Sequence, residues 1–489
     1  MLVTCEEMRH AEEAAFARGV RAEDLMEDAG RGIAEIVSQF HETPGRCIVF
    51  CGKGHNAGDG LVAARHLASL GWNIDVRFAF SESSLAPLTA QKLAELPKSD
   101  PVVSGRGSKV VLDGLLGIGA RGEPRGEIAT SIRSINRLKR DHGAWVLAID
   151  IPSGLDAGSG VPASTCVQAD LTATIACAKD CLVADTATGV VGRLAVVELK
   201  DLPQPESAVW RIADPGALQG WLPARSFDVH KGDCGRVGII AGSPGFTGAA
   251  RLCSAAALRA GAGLVTVLAK PDSAGTLAVS CVPEVMVKTV ESYHEVHDLR
   301  FDSLAIGPGL GSRDAKDVVS VIERAKQPVI VDADALNVVS REVSVLKHCA
   351  GPRLLTPHPG EMERLFPQAG RSRRRWLDDF LAEFPVALLL KGARTLIGDA
   401  QGARFINTTG NPGMASGGMG DVLTGVCAAL VAQLSDRNLL HCGVLGAWLC
   451  GRSAECAVFR GAESAESLCA SSVIENLGAA FESLHAGEY

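Results

Sequence analysis

The chain has 489 residues, of which 47% are hydrophobic and 21% charged, with a formal net charge of −8. That length exceeds one ordinary core and predicts two large α/β units, while the acid excess leaves no broad basic field for a nucleic-acid backbone. The absence of a long apolar run, and of a basic stretch leading into an apolar one at the start, argues against a membrane partner and for the cytoplasm.

Near the N-terminus the sequence reads L-M-E-D-A-G, with Asp28 as its second acid. From Arg46 the sequence reads R-C-I-V-F-C-G, then K-G-H-N-A-G-D-G, then L-V-A-A-R-H-L-A-S-L-G: strand, glycine-rich loop and amphipathic helix. The apolar run Asn73 to Phe80 supplies the return strand of a βαβ unit, and further strands are expected at Lys109 to Leu112, Ala144 to Ile149, Asp170 to Ile175 and Arg193 to Glu198. A doubly wound parallel sheet follows, and such sheets bind ligands at the carboxyl ends of their strands. Three loops fall there, each with an acid: Gly52 to Gly60 with Asp59, D-G-L-L-G-I-G-A-R-G-E from Asp113, and D-I-P-S-G-L-D from Asp150. Any one of these acids alone would be a turn cap; three together point to a site.

The fifteen cysteines fall mostly inside apolar runs, as at Cys253, Cys427 and Cys450, where a reduced thiol serves as a small hydrophobe. Cys47/Cys51 and Cys177/Cys181 lack the spacing of a zinc site.

Between Leu199 and Asp233 the chain turns proline-rich, which marks a linker, and the boundary is placed at 1–213 and 214–489. A second α/β series follows from Gly235: G-R-V-G-I-I-A-G-S, a helix through Leu258, the strands G-L-V-T-V-L-A, S-L-A-I-G, P-V-I-V-D-A-D and R-L-L-T, then V-A-L-L-L-K-G-A-R-T-L-I. Asp332 and Asp334 form an acidic pair that either binds metal or caps turns. The basic run Arg371 to Arg375 reads as a solvated helix start. The prolines of T-P-H-P-G-E fix a strand-end turn around His358; its imidazole either satisfies backbone groups or meets a ligand, and ligand contact is favoured. Last comes N-P-G-M-A-S-G-G-M-G-D, Asn411 to Asp421, running into the helix-like V-L-T-G-V-C-A-A-L. Its glycines turn backbone N–H groups toward one point and the helix adds its positive end, which suits phosphate. Asp421 is the acid there, placed either to cap the helix or to take the proton of a hydroxyl that attacks a phosphoryl group.

In combination these motifs resemble the NAD(P)H-hydrate repair enzymes. The first half is similar to Rossmann-like NAD(P)H-hydrate epimerases, and the second to ribokinase-like, ADP- or ATP-dependent NAD(P)H-hydrate dehydratases. The resemblance implies an α/β protein whose N-terminal domain interconverts the R and S hydrates and whose C-terminal domain phosphorylates the C6 hydroxyl and eliminates phosphate. By motif, Lys391, Gly392, Ala393, Arg394, Thr395 and Gly420 would hold ADP or ATP, with Mg²⁺ accompanying it. Asp421 would be the base, and the hydrate would lie against Ala249, Gly309 and His358. In the first half Asn56, Asp113 and Ser153 would supply oxygen ligands to K⁺. The loop His55, Asn56, Ala57, Gly58 and Asp59, the loop Gly117, Ile118, Gly119, Ala120, Arg121, Gly122 and Glu123, and Asp150 would hold the hydrate, with Asp150 moving the proton.

The family loop reads G-N-N-G-G-D-G; here His55 and Ala57 replace an Asn and a Gly, and Ala resists φ > 0. Asp28, where the family has Asn, places a negative charge near a phosphate-bearing ligand. The alternative is a ribokinase-like small-molecule kinase with a non-catalytic N-terminal binding module. Such domains often associate, so a homo-oligomer is expected, and the Ala-rich helices from Arg251 and Cys427 leave room for it.

Overall fold

The computed structural model describes every residue except 98–107, 203–208, 223–224, 368–369, 371, 435 and 461–462. The described residues form two compact units, Met1–Asp214 with Tyr489, and Pro215–Glu488. Part of the proline-rich stretch, and Arg371 of the basic run, lie outside the described residues. No helix among the described residues is long and apolar enough to cross a membrane.

In the first unit the strands are β1 (Leu2–Val3), β2 (Arg46–Cys51), β3 (Asn73–Phe78), β4 (Lys109–Gly114), β5 (Trp145–Ile149), β6 (Leu171–Ile175), β7 (Ala178–Lys179), β8 (Arg193–Val197) and β9 (Trp210–Ile212). Six of them form one sheet in the order β3-β2-β4-β5-β6-β8, and every pairing in it is parallel. The burial pattern explains the arrangement: β2, β4, β5 and β6 are buried at all but one terminal position each, so both faces are covered, as a sheet with helices on both sides requires. The helix Ala22–Phe40 closes one face through Ile33, Val37 and Phe40, and Gly126–His142 contributes Ile128, Ile132 and Ile135 to the core on the other. The strand order reverses between β2 and β4, and a crevice opens at that switch point beyond the strand ends.

In the second unit the strands are β10 (Arg236–Ile240), β11 (Leu264–Ala269), β12 (Met286–Thr289), β13 (Ser303–Ile306), β14 (Val329–Val331), β15 (Arg353–Leu355), β16 (Ala387–Leu390), β17 (Thr395–Asp399) and β18 (Arg404–Asn407). Their order is β12-β11-β10-β13-β14-β15-β16-β17-β18, with a switch between β10 and β13. Pairing is parallel as far as β16 and antiparallel from β16 to β18. The run read as V-A-L-L-L-K-G-A-R-T-L-I is therefore a hairpin, with K-G-A-R at its turn. The sheet confirms an α/β chain of two domains, the first of them doubly wound.

The Ala-rich helices Thr247–Arg259 and Met419–Gln433 turn small residues inward. They pack on each other, and a Cβ on Gly425 would come within 2.1 Å of the Cys253 carbonyl oxygen, so their small faces are consumed inside the unit.

Candidate active sites

In the first unit, β2 ends at Cys51 and the helix His55–Ser69 starts after three residues. Only glycine fits the turn, because a Cβ on Gly52 would lie 2.0 Å from the Leu115 carbonyl oxygen. His55, Asn56 and Asp59 occupy the first turns of that helix and line a cavity of about 670 Å³, together with Gly117, Ile118, Gly119, Ala120 and Asp150. Ala57 and Gly58 are buried behind this wall. Ala57 is helical and absent from the positive-φ residues, so the expected backbone conflict does not arise. Asp28 lies outside the cavity lining and is paired with Arg31 at 2.5 Å, which offsets its charge. Arg121, Gly122 and Glu123 also lie outside the lining; the Glu123 carboxylate accepts from Ser164 N at 3.0 Å and Oγ at 3.1 Å, and so fastens the loop.

Asn56 and Ser153 meet at Leu116, and Asp113 joins them through Ser153 and Leu115. Asn56 donates to the Leu116 carbonyl at 2.9 Å and to the Ile149 carbonyl at 3.2 Å, Leu116 N donates to Ser153 Oγ at 3.0 Å, and that hydroxyl donates to Asp113 Oδ1 at 2.7 Å. Ser153 N donates to Asp113 Oδ2 at 2.8 Å. Burial pushes the Asp113 carboxyl up to about 6, against the hydrogen bonds from Ser153 and Leu115.

Asp150 follows β5 with φ +64°, a left-handed backbone that non-glycine residues adopt at a cost of roughly 1–3 kcal/mol. Its N–H donates to the Ala173 carbonyl at 2.8 Å. Lys179, fully buried, is ion-paired with Asp150 Oδ1. Sequence reasoning missed Lys179 and also Glu12, which lines the same cavity. Lys179 reaches the site because β1 pairs with β7 in the register Val3↔Lys179, a long-range contact with no local signature.

In the second unit the loops after β10 and β13 meet at the switch point. Ser243 Oγ donates to the Gly309 carbonyl at 2.9 Å, and Ala249 abuts Gly309, whose φ is +59°. Lys391, at the end of β16, donates to Asp332 Oδ1 at 2.7 Å and lies 3.7 Å from Glu361. Asp332 Oδ2 accepts from Thr424 Oγ at 2.8 Å. Asp334 Oδ2 accepts from Gly311 N at 2.8 Å. This acidic pair is thus engaged by the protein itself, and among the described residues no group of three or more His, Cys, Asp or Glu is arranged for a metal.

The helix Met419–Gln433 begins with Gly418 as its N-cap at φ +86°, and no side chain caps it. Asp421 is therefore no cap. Burial, with Asp332 close by, pushes its carboxyl up to about 6 despite the opposing charge of Lys391. Gly420 stands over the ion pair, its Cβ position 3.4 Å from both Lys391 Nζ and Asp332 Oδ2. His358 caps the helix Pro359–Leu365, its Nδ1 accepting from Gly360 N at 3.0 Å, while the ring stays half exposed. In K-G-A-R-T, Thr395 Oγ donates to the Gly392 carbonyl at 3.0 Å. Arg394 is buried, and its carbonyl accepts from Arg373 at 2.7 Å. Arg373, from the basic run first read as solvated, thus braces this loop.

Residues 237–475 match the family profile for NAD(P)H-hydrate dehydratase, and residues 22–181 match that for the YjeF-related protein N-terminus. The bifunctional NAD(P)H-hydrate repair enzyme Nnr of Moorella thermoacetica is 37% identical over 473 residues, covering 88% of this chain and 87% of its own length. The chain belongs to the bifunctional NAD(P)H-hydrate repair enzyme family. Another member, from Coxiella burnetii, is 35% identical, with 90% of this chain and 91% of that protein aligned. A solved ADP/ATP-dependent NAD(P)H-hydrate dehydratase from Bacillus subtilis, co-crystallised with ATP and Mg²⁺, is 27% identical over 56% of this chain and 98% of its own, with a TM-score of 0.49. Membership in the repair family accounts for both halves of the chain and does not favour a simple kinase.

Proposed function

We propose that residues 1–213 epimerise the R and S forms of NAD(P)H hydrate and that residues 214–489 dehydrate the S form with ADP as phosphoryl donor. The observation that carries the second assignment is the partly buried Asp421 in the first turn of Met419–Gln433, a helix that no side chain caps, with the charge of Lys391 close by. The helix N-terminus and the Gly417–Gly420 backbone hold phosphate, and Lys391 neutralises it. Asp421 takes the proton of the C6 hydroxyl, whose oxygen attacks the terminal phosphoryl group of ADP and releases AMP. The C6–O bond then breaks, phosphate leaves with the bond's electron pair, and loss of a C5 proton restores the ring double bond.

Lys391, Gly392, Ala393, Arg394, Thr395 and Gly420 hold the nucleotide in this reading; because Arg394 is buried, it serves through its backbone and its packing. The hydrate lies against Ala249, Gly309 and His358. Mg²⁺ fits as a nucleotide-borne ion, since it keeps several waters and needs only one or two carboxylates besides phosphate oxygens. It would supply charge neutralisation at the phosphoryl group.

For the first unit, Asn56, Asp113 and Ser153 are assigned to K⁺, and His55 to Asp59, Gly117 to Glu123 and Asp150 to the hydrate. The fit to K⁺ rests on Asp113, a fully buried carboxylate held by Ser153 and Leu115 within a set of hard oxygen donors. A cytoplasmic location agrees with fifteen free cysteines. A homo-oligomer agrees with Val279, Val282 and Met286, exposed at and near edge strand β12.

The test is incubation with separated R and S hydrates. S-hydrate is expected to yield reduced nicotinamide with ADP at once, and R-hydrate only after conversion. Loss of R-hydrate recovery in Asp150→Asn, with S-hydrate recovery kept, supports the division of labour; no recovery of S-hydrate with either ADP or ATP overturns the dehydratase reading.

A further inference from the structure

The cavity of the first unit holds more proton-carrying groups than hydrate binding requires. Glu12, Asp59, Asp150 and Lys179 all line it, amid apolar residues such as Phe16 and Met26. Lys53 and His55 also line it but are exposed; among the less exposed groups three carboxyls face the one ammonium of Lys179, which burial makes costly unless some of the carboxyls keep their protons.

The hydrogen bonds divide these groups into roles. Lys179 spends its remaining donors on Thr174 Oγ at 3.1 Å and the Ile175 carbonyl at 2.8 Å. Asp150 Oδ1 receives Lys179, Ile175 N at 3.1 Å and Thr174 Oγ at 3.3 Å. All three bonds fall on one oxygen, so Oδ2 is the atom left to meet a ligand. Asp59 stands nearly buried on the helix His55–Ser69. Burial, then the charges of Asp150 and Glu12, hold its carboxyl well above the usual carboxylate range, with Lys179 opposing. Burial likewise raises the Glu12 carboxyl.

We propose that Asp150 and Asp59 are the base and the acid of hydrate ring opening, and that Lys179 is the residue that positions Asp150. The proposal rests on the epimerase reading of this unit. In the step, Asp150 Oδ2 takes the C6 hydroxyl proton, the C6–O bond becomes a carbonyl, and the C6–N1 bond breaks. Its electron pair goes to N1, which takes the proton of Asp59. Rotation presents the other face of the aldehyde, and N1 attacks it as the two protons return. The net change is inversion at C6, with no oxidant, reductant or co-reactant.

The experiment follows R-to-S conversion of purified R-hydrate by chromatography, with the full chain, K⁺ and no nucleotide. Wild type that fails to convert overturns the epimerase reading itself. If wild type converts, Asp59→Asn is expected to lower kcat by about 10²–10⁴-fold, the usual contribution of a general acid, with KM within about threefold and an unchanged melting curve; conversion at the wild-type rate overturns the assignment of Asp59. Lys179→Met is expected to lower kcat more than it raises KM and to displace the pH profile, and Lys179→Arg to recover part of the loss. A change confined to KM, or a wild-type pH profile in Lys179→Met, overturns the positioning role. Should Lys179→Met not fold, Lys179→Arg decides the point: a wild-type pH profile overturns the role and a displaced one supports it.

Discussion

Lys391 donates to one oxygen of Asp332 at 2.7 Å while Thr424, one turn beyond Asp421, donates to the other at 2.8 Å. A single buried carboxylate therefore ties the end of β16 to the first turns of Met419–Gln433. In the proposed mechanism the ammonium that meets the nucleotide is thus tied to the helix that carries the proposed base, which fixes their separation before any ligand arrives.

Replacing Asp332 by Asn should loosen both. Breaking a buried ion pair commonly costs about 3–5 kcal/mol. The lower end is expected here, because Glu361 remains 3.7 Å from Lys391. Calorimetry should show a lower melting temperature for the second unit, and ADP titration a weaker Kd.

Asp421→Asn should leave ADP binding nearly intact and reduce S-hydrate turnover by about 10²–10⁴-fold, the loss typical of a missing general base. Titration calorimetry and stopped-time turnover assays check the two halves of that statement; full activity would remove Asp421 from the chemistry.

The pH dependence follows from the same residue. Its carboxyl is raised to about 6, so it is a charged base above that pH and a neutral acid below it. With S-hydrate and ADP, kcat/KM should be flat near neutrality and fall about tenfold per pH unit below roughly pH 6. The decline moves with Asp332→Asn, which takes away a neighbouring negative charge and so lowers the midpoint.

The close approach of Thr247–Arg259 and Met419–Gln433 predicts intolerance at Gly425. A methyl group there meets the Cys253 carbonyl at 2.1 Å, and forcing these helices apart should cost about 1–3 kcal/mol. Gly425→Ala is expected to lower the thermal transition of the second unit by about 2–4 °C per kcal/mol.

Exchange of K⁺ for a bulky organic cation should depress R-to-S conversion and leave S-hydrate dehydration unchanged, with recovery on adding K⁺ back. Asp113→Asn should abolish that response, because it removes the one carboxylate among the three proposed ligands.

Much of this was legible in the sequence because it is local. Strand, glycine loop and helix follow one another in K-G-H-N-A-G-D-G, and the structure puts His55, Asn56 and Asp59 on one cavity wall. The six-stranded parallel sheet came from apolar runs that alternate with helical periodicity. What escaped depends on distant pairing. Lys179 meets Asp150 because β1 lies beside β7. Asp332 stays open between metal ligand and turn cap in the sequence because nothing in V-D-A-D-A-L shows that Lys391, 59 residues on, will claim it. Arg373 looked solvated because its acceptors, the carbonyls of Leu390 and Arg394, are set by the hairpin and not by its own helix. Ala57 looked strained because the loop had been read as a turn, whereas it forms the first turn of a helix.

The central claim is that the phosphate placed on the hydrate leaves it. The most direct measurement is the ratio of free phosphate to restored reduced nicotinamide when purified S-hydrate and ADP are turned over by the full chain. One phosphate released for each nicotinamide restored is the predicted result; a stable phosphorylated hydrate, with AMP formed and no reduced nicotinamide, would contradict it.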